Sequence, residues 1–313
     1  MGEAFIGDII RRKREELGLT QADLADGICS VVTISRIESG KTTPKRPLLC
    51  AILGRLDLPE DRYPVWVFKE EQKIETLQRK LALLNTKFER ALPEEKGKFR
   101  EEAKKLYREL ETNAEDADPF VRQQIARSKI IMGCEDGAYT PKEEREKLLE
   151  IIRMTCPKFD PEDIGAGRYS TDELKMLNHL GLTYSMEKNH LEAIMIYRQV
   201  YAYIKKNIRE IPVKKSQLCS VILNYAKELN AVGSYQKANN LAEEGRRLCL
   251  DNAYYYPLAG LLDTLAESFH FLGNQEESVR FYKQAFHLTQ IMEDEGGQSA
   301  IKLDAKKYAG VEL

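Results

Sequence analysis

The sequence is short of the residues that make turns. Its 313 residues hold only 19 glycines and 11 prolines, too few for an all-β protein, whose frequent turns need both. Cysteine is sparse and scattered: Cys29, Cys50, Cys134, Cys156, Cys219 and Cys249 include no C-x-x-C pair. That spacing argues against a disulfide framework and against a zinc site, and it points to reduced thiols in a cytoplasmic protein. No apolar run approaches the roughly twenty residues that a membrane span needs. The opening MGEAFIGDIIRRKREELG places its cations after its apolar stretch, the reverse of a signal peptide. An excess of one charge sign is missing too, with 48 Lys and Arg against 50 Asp and Glu and a net charge of −2. Bulk positive charge cannot drive nucleic-acid binding here, which leaves a local basic patch as the electrostatic route.

What is present is helix. The hydrophobic share is 42% and the charged share 31%, enough apolar side chains for a substantial core in a water-soluble chain. The length exceeds the usual single domain, so two domains or a repeat array is expected. Ile6, Ile9, Ile10 and Leu17 fall at helical spacing beside Arg11, Arg12, Lys13 and Arg14, and Gly18 ends that helix. Thr20 caps a second helix, Gln21 to about Ile28, with Asp23 three residues on completing a capping box. Ser30 caps a third, Val31 to Glu38, in which Ile34 and Ile37 share a face. A fourth, from about Pro47 to Leu56, brings Leu48, Leu49, Ile52 and Leu53 to the core.

Two short helices joined by a tight turn, with a third packed beneath, form the helix-turn-helix layout. The string LTQADLADGICSVVTISRIESGK resembles the Xre-type helix-turn-helix of bacterial and phage repressors, carried by its T-Q start, the L-A of helix two and the I-S-R-I-E-S-G-K run of helix three. Its turn around Cys29 and Ser30 reads as one residue shorter than in most such repressors and without their usual turn glycine. That form is similar to the turn of peptide-pheromone-responsive regulators.

The resemblance implies that helix three enters the DNA major groove. Val31, Val32, Thr33 and Arg36 then meet base edges, Arg36 in bidentate contact with guanine and the valines on thymine methyls. Ser30 opens that helix, and Ser35 faces a base or the backbone. Gln21 would hold a phosphate with help from the helix N-terminus. Lys41, Thr42, Thr43, Lys45 and Arg46 are expected phosphate ligands. Residues 1–58 hold nine basic and eight acidic side chains, yet between Arg36 and Arg46 four cations face one acid, Glu38. A single module so weakly charged binds DNA poorly, because phosphate neutralisation supplies much of the affinity. A homodimer reading an inverted-repeat operator in double-stranded DNA is therefore expected.

From about Asp61 onward amphipathic helices alternate with polar junctions. The stretch Val65 to Ala91 lacks proline and glycine and reads as one long helix or two nearly continuous ones, with Trp66 and Phe68 as interdomain packing residues. Leu177 to Val200 matches the tetratricopeptide pattern at Leu180, Gly181, Tyr184, Leu191, Ala193, Tyr197 and Val200. Two further copies run through Ile222–Gly245 and Leu262–Ala285, and degenerate copies are expected over 99–155. The turn residues Asn189, Gly233 and Gly273 are 44 and 40 positions apart, longer than the usual repeat of about 34 residues. Small residues such as Ala193, Ala238 and Ser278 let paired helices approach, while aromatics fill the gaps between hairpins. The expected architecture is all-α, with a helix-turn-helix domain over 1–64 and a right-handed tetratricopeptide-like repeat domain over 65–313.

A stack of such hairpins lines one surface with the first helix of each pair. Lys175, Asn178, His179, Asn224, Lys227, Asn230, Asp263, Glu267 and His270 fall there. An asparagine amide both donates and accepts, so Asn178 and Asn224 are suited to clamping the backbone of an extended peptide. Other constellations are bland. Gly165-Ala166-Gly167 has Ser170 in place of a third glycine and no preceding strand, so it reads as a loop rather than a dinucleotide site. No P-loop occurs, and none of the four histidines has zincin spacing. No catalytic set, cofactor or metal site emerges.

An Xre-type module followed by such repeats resembles the Rgg/PlcR-type quorum-sensing regulators of Gram-positive bacteria, strongly over 5–56, fairly over 174–290, and by helical pattern alone between. The resemblance implies a cytoplasmic homodimer whose repeats bind a short signalling peptide, with Asn178, Asn224 and Lys227 as the clamp. Peptide binding would shift the placement of the two DNA-binding modules and so alter DNA binding or transcription. Two other readings of the same pattern are a regulator whose repeats hold a protein partner, and an adaptor that controls a response regulator without binding DNA.

Overall fold

The computed structural model describes residues 6–59, 69–91, 93–113, 119–134, 139–207 and 212–313. Among the described residues there are fifteen α-helices and no strand, as the scarcity of turn formers predicts. None of these helices is long and apolar enough to cross a membrane. Two compact units emerge: Met1–Lys87 with Lys98–Met176 and Arg209–Ile211, and Phe88–Gly97 with Leu177–Ile208 and Pro212–Leu313.

The first unit begins with α1 (Ile6–Glu16), α2 (Gln21–Ala25), α3 (Val31–Glu38) and α4 (Arg46–Arg55). Their shared core is aliphatic, with Ile10, Leu24, Ile34, Ile37, Ile52 and Leu53 fully buried and Phe120 packed against its edge. The capping box holds: Thr20 Oγ1 accepts from the Asp23 amide at 3.1 Å, and Asp23 Oδ2 accepts from the Thr20 amide at 2.9 Å. The turn after α2 differs from expectation. α2 ends at Ala25, not Ile28, and Gly27 sits at φ +74°, a left-handed conformation that glycine adopts without strain. The turn glycine is therefore present. Ile28 continues the apolar spacing because it packs into the core from the turn itself, so periodicity alone could not mark the helix end.

Gly27 also touches a distant segment of the same unit. A Cβ there would fall 2.2 Å from the Thr155 carbonyl oxygen and 2.5 Å from the Pro157 ring. Beside it, the buried Arg55 donates through Nη1 to the carbonyls of Leu24 and Asp26 and through Nη2 to that of Thr155. Arg168 pairs with Asp57 at 3.1 Å. The helix-turn-helix is thus seated on the loop that follows α8 (Pro141–Arg153).

The long helix expected over Val65–Ala91 is α5, described from Lys69 to Arg90; Trp66 and Phe68 lie outside the described residues. α6 (Pro93–Asn113), α7 (Pro119–Cys134) and α8 follow, then a short 3-10 turn at Ile164–Ala166 and α9 (Thr171–Met186). The glycine pair at 165 and 167 is a loop, as read.

The second unit is a series of helical hairpins: α10 (His190–Asn207), α11 (Pro212–Ala231), α12 (Tyr235–Asn252), α13 (Tyr255–Phe271), α14 (Gln275–Ile291) and α15 (Glu295–Asp304). Each helix packs on the next, and α11 also on α13. Ala193, Ala238 and Ser278 are fully buried, as are the aromatic rings of Tyr197 and Tyr282. A Cβ on Gly181 would stand 2.5 Å from the Tyr197 ring, so that glycine makes room for the signature aromatic. Left-handed residues mark the turns at Gly233 and Gly273, but in the first hairpin this position is Lys188 and not Asn189.

Candidate functional site

α3 separates its faces cleanly. Ser30 caps it, accepting from the Thr33 amide at 3.1 Å, with the two hydroxyls 2.9 Å apart. Ile34 and Ile37 point into the core, while Val31, Val32, Ser35 and Arg36 are exposed and Thr33 is half-buried. Val31 and Val32 are 46% and 58% exposed, apolar side chains left in water on the first turn of a short helix. The amides of Lys41 and Thr42 donate to the Arg36 carbonyl at 2.8 and 3.3 Å, which closes the helix and leaves Lys41, Thr42 and Thr43 exposed just beyond it. Lys45 is exposed as they are and Arg46 half-buried, and both also line a cavity of about 350 Å³ within the first unit, with Arg79, Arg127, Asp172 and Lys175 in its wall.

α3 is braced from behind through Glu38. Arg14 Nε and Nη2 donate to its two carboxylate oxygens at 2.6 and 2.9 Å, and Gln21 Nε2 adds a third bond at 2.8 Å. Burial works against the Glu38 carboxylate, yet the bonds from Arg14 and Gln21 outweigh it and hold its pKa below the ordinary value. Gln21, expected on a phosphate, has its side-chain amide engaged inside the domain. The brace escaped the sequence reading, although Arg14 carries the one available signal: it lies four residues after Ile10, on the apolar face of α1.

In the second unit, Asn178 and Asn224 meet: Asn224 Nδ2 donates to Asn178 Oδ1 at 3.1 Å. His179 is half-buried and Lys227 exposed. Asn230 is an internal strut, donating to the Thr264 carbonyl at 3.1 Å and to Glu267 Oε2 at 2.9 Å and accepting from Ser268 at 3.0 Å. His270 stacks edge-on to Phe271, with Tyr308 5.8 Å away, centroid to centroid. Lys175 falls in the first unit and pairs with Asp172 at 2.7 Å.

Asp263 stands apart. Its Oδ1 has no solvent contact and no hydrogen-bond partner, and the same holds for the Tyr282 hydroxyl. Burial pushes the Asp263 carboxyl up to about 7; Lys227 opposes that, and the charges of Asp304 and Glu267 reinforce it. The Tyr282 phenol is raised chiefly by burial and then by Asp263, Glu267, Asp304 and Tyr308. Sequence spacing pointed to Asp263 and Glu267, but not to Asp304, whose charge bears on Asp263 from α15.

Residues 10–62 match the family described as Helix-turn-helix. No curated protein matches the chain in a sequence comparison. Among solved structures, PlcR of Bacillus thuringiensis, in complex with the peptide PapR7 and DNA, superposes with a TM-score of 0.58 at 18% identity, covering 96% of this chain and 99% of that one. The competence regulator ComR of Streptococcus vestibularis in its apo form gives 0.52 at 15% identity, over 96% and 97% of the two chains. The same regulator with its signalling peptide XIP gives 0.50 at 15%, over 98% of each. The likeness is one of fold, and it spans the helix-turn-helix and the tetratricopeptide-like repeats together.

Proposed function

We infer that this chain is a cytoplasmic, homodimeric transcription regulator that reads an inverted-repeat operator in double-stranded DNA and answers to a short signalling peptide. The observation that carries the reading is the outward face of α3. Val31, Val32, Ser35 and Arg36 stand exposed on a helix whose back is fixed by a buried ion pair, and a rigid, exposed, partly apolar face suits base edges and thymine methyls. Thr33 borders that face, Ser30 caps the helix, and Lys41, Thr42 and Thr43 extend it as phosphate ligands. Gln21 contributes from the start of α2, where the positive end of the helix favours an anion, while its side chain holds Glu38. Lys45 and Arg46 follow in the chain as further phosphate ligands in this reading. Residues 1–64 are the DNA-binding part in this reading, and 65–313 the regulatory part.

For the regulatory part the support is twofold. The fold is shared with regulators solved in complex with peptides. The Asn178–Asn224 pair presents two amides that satisfy each other, and a peptide backbone inserted between them would satisfy both. Peptide and DNA communicate only if the peptide binds one arrangement of the dimer more tightly than the other.

Selection of bound duplexes from a random DNA library by the purified full chain, at near-physiological salt, tests the reading. An enriched inverted repeat whose half-sites lie a whole number of helical turns apart is the expected outcome. Failure to enrich any sequence, with and without added peptide, overturns it.

A further inference from the structure

The second unit buries polar atoms that nothing in the chain satisfies, and two of them belong to α13 and α14, which pack on each other. Asp263 Oδ1 and the Tyr282 hydroxyl are both sealed from water and both without a partner, and the Tyr282 side chain is fully buried. Buried polar atoms are nearly always hydrogen-bonded, so a neighbouring pair without partners marks a place where a group is missing. The surroundings define what that group is. Three carboxylates bear on Tyr282, from Asp263 and Glu267 of α13 and Asp304 of α15. Lys227 of α11 and Lys307 are near enough to act on these charges. Neither neutralises them in contact: Lys227 makes no hydrogen bond to any of the three, and Lys307 donates instead to the Tyr308 hydroxyl at 2.7 Å.

The acceptors are also held in place. Asn230 of α11 fixes Glu267 Oε2 at 2.9 Å and is itself fixed by Ser268 and by the Thr264 carbonyl. An acceptor braced in this way keeps its position before a ligand arrives, which lowers the ordering cost of binding. No three such side chains among the described residues converge as a metal site. A group with several diverging N–H donors fits better, because an ammonium or guanidinium has separate bonds to offer to Asp263 and Glu267, one turn apart on α13, and to Tyr282 on the helix packed against it.

We propose that Asp263, Glu267 and Tyr282, backed by Asp304, form a receptor for a cationic group of the bound peptide. The assignment rests on the peptide-binding reading above and adds the ligand's chemistry to it. The cation is either the free amino terminus or a Lys or Arg side chain. It supplies the partners that Asp263 Oδ1 and Tyr282 lack and neutralises the crowded carboxylates. Because Asp263 must be ionised to hold it, binding of a Lys or Arg side chain tightens as the pH rises through neutrality, whereas an amino terminus loses its own proton near about pH 8 and gives an optimum instead. Of the other groups facing Asp263, Glu267 and Asp304 are carboxylates that deepen the negative field, and Lys227 weakens it.

The test is affinity selection by the full chain from mixtures of short random synthetic peptides, read by mass spectrometry. One mixture has free amino termini and the other is N-acetylated, and both contain Lys and Arg. Recovered peptides are expected to carry a positive group at one fixed position. Loss of recovery on acetylation assigns it to the amino terminus; a fixed Lys or Arg that survives acetylation assigns it to a side chain. Asp263→Asn, nearly isosteric, should weaken binding of a recovered peptide about tenfold or more and flatten its dependence between about pH 6 and pH 8. Glu267→Gln should act in the same direction, with duplex selection and the circular dichroism spectrum unchanged in both variants. Peptides recovered without any positional charge preference, or bound equally well by Asp263→Asn, overturn the cation receptor and leave the peptide reading standing. Recovery of no peptide from either mixture removes both.

Discussion

Glu38 and Asp263 each hold a carboxylate oxygen out of water's reach, and the molecule treats the two in opposite ways. In the helix-turn-helix, Glu38 is enclosed but receives three hydrogen bonds, two from Arg14 and one from Gln21. In the repeats, Asp263 is enclosed beside Glu267 and Asp304 and has a carboxylate oxygen with no partner at all. The first arrangement drives its carboxyl pKa down and the second drives its own up, although both are acids with a carboxylate oxygen shielded from water. What differs is the source of the partner. Glu38 has one supplied by the chain, so its burial fixes a shape. Asp263 lacks one, so its burial leaves an unmet demand.

That contrast can be broken by mutation, most severely at the satisfied end. Glu38→Ala strands the buried Arg14 and should cost about 3–5 kcal/mol of stability in urea unfolding, whereas replacing both partners by apolar residues of similar volume should cost far less. The pH dependence follows from the depressed pKa. The stabilisation from Glu38 is fully present above the ordinary carboxylate range and is lost as pH falls through the lowered value. Next comes Arg36→Ala, expected to weaken operator binding by about 1–3 kcal/mol in a titration while leaving the melting temperature unchanged. Binding and base preference that stay at the wild-type level would remove Arg36 from the reading face.

Asp263→Asn should move stability the other way. The folded carboxyl, at about 7, takes up protons that the unfolded chain releases, so stability falls as pH rises between the ordinary carboxylate value and neutrality. Removing the charge should therefore raise the melting temperature by roughly 2–4 °C at about pH 8, and by less at about pH 6. A lowered melting temperature at both pH values would show that Asp263 is satisfied in the free protein. The smallest effect is expected at Ser30→Ala, where loss of the α3 cap should cost about 1 kcal/mol, measured by thermal unfolding.

The sequence made the helices plain because their signals are local. Thr20 with Asp23, Ser30, Gly18 and Gly273 each act within a turn of their own position, and the apolar faces of α1, α3 and α4 follow at regular spacing. The hairpins were legible for the same reason, through Gly181, Tyr197 and Tyr282. Long-range partners were not. Gln21 reads as a surface amide until Glu38, seventeen positions away, is seen to hold it. Asn230 reads as a groove residue until Thr264 and Ser268 close on it. Lys45 and Arg46 belong with Lys41 by spacing, but only the fold sets Arg79 and Arg127 beside them around one cavity. The end of α2 was misplaced because Ile28 keeps the helical apolar rhythm from a turn. In each case the deciding contact comes from an element that local pattern does not specify.

The seat of the helix-turn-helix limits how far this protein can be treated as exchangeable parts. Arg55 grips the Thr155 carbonyl across one hundred positions of chain, and Gly27 lies where any side chain would strike that same loop. A graft of residues 1–64 onto another set of repeats would carry half of this joint and leave the other half behind. The donor loop must bring a carbonyl to Arg55 and a surface flat enough for Gly27, or the transplanted reader would have no foundation. On the proposed reading, specificity for a DNA site can thus be rewritten by substitution on α3, but it is not inherited by splicing.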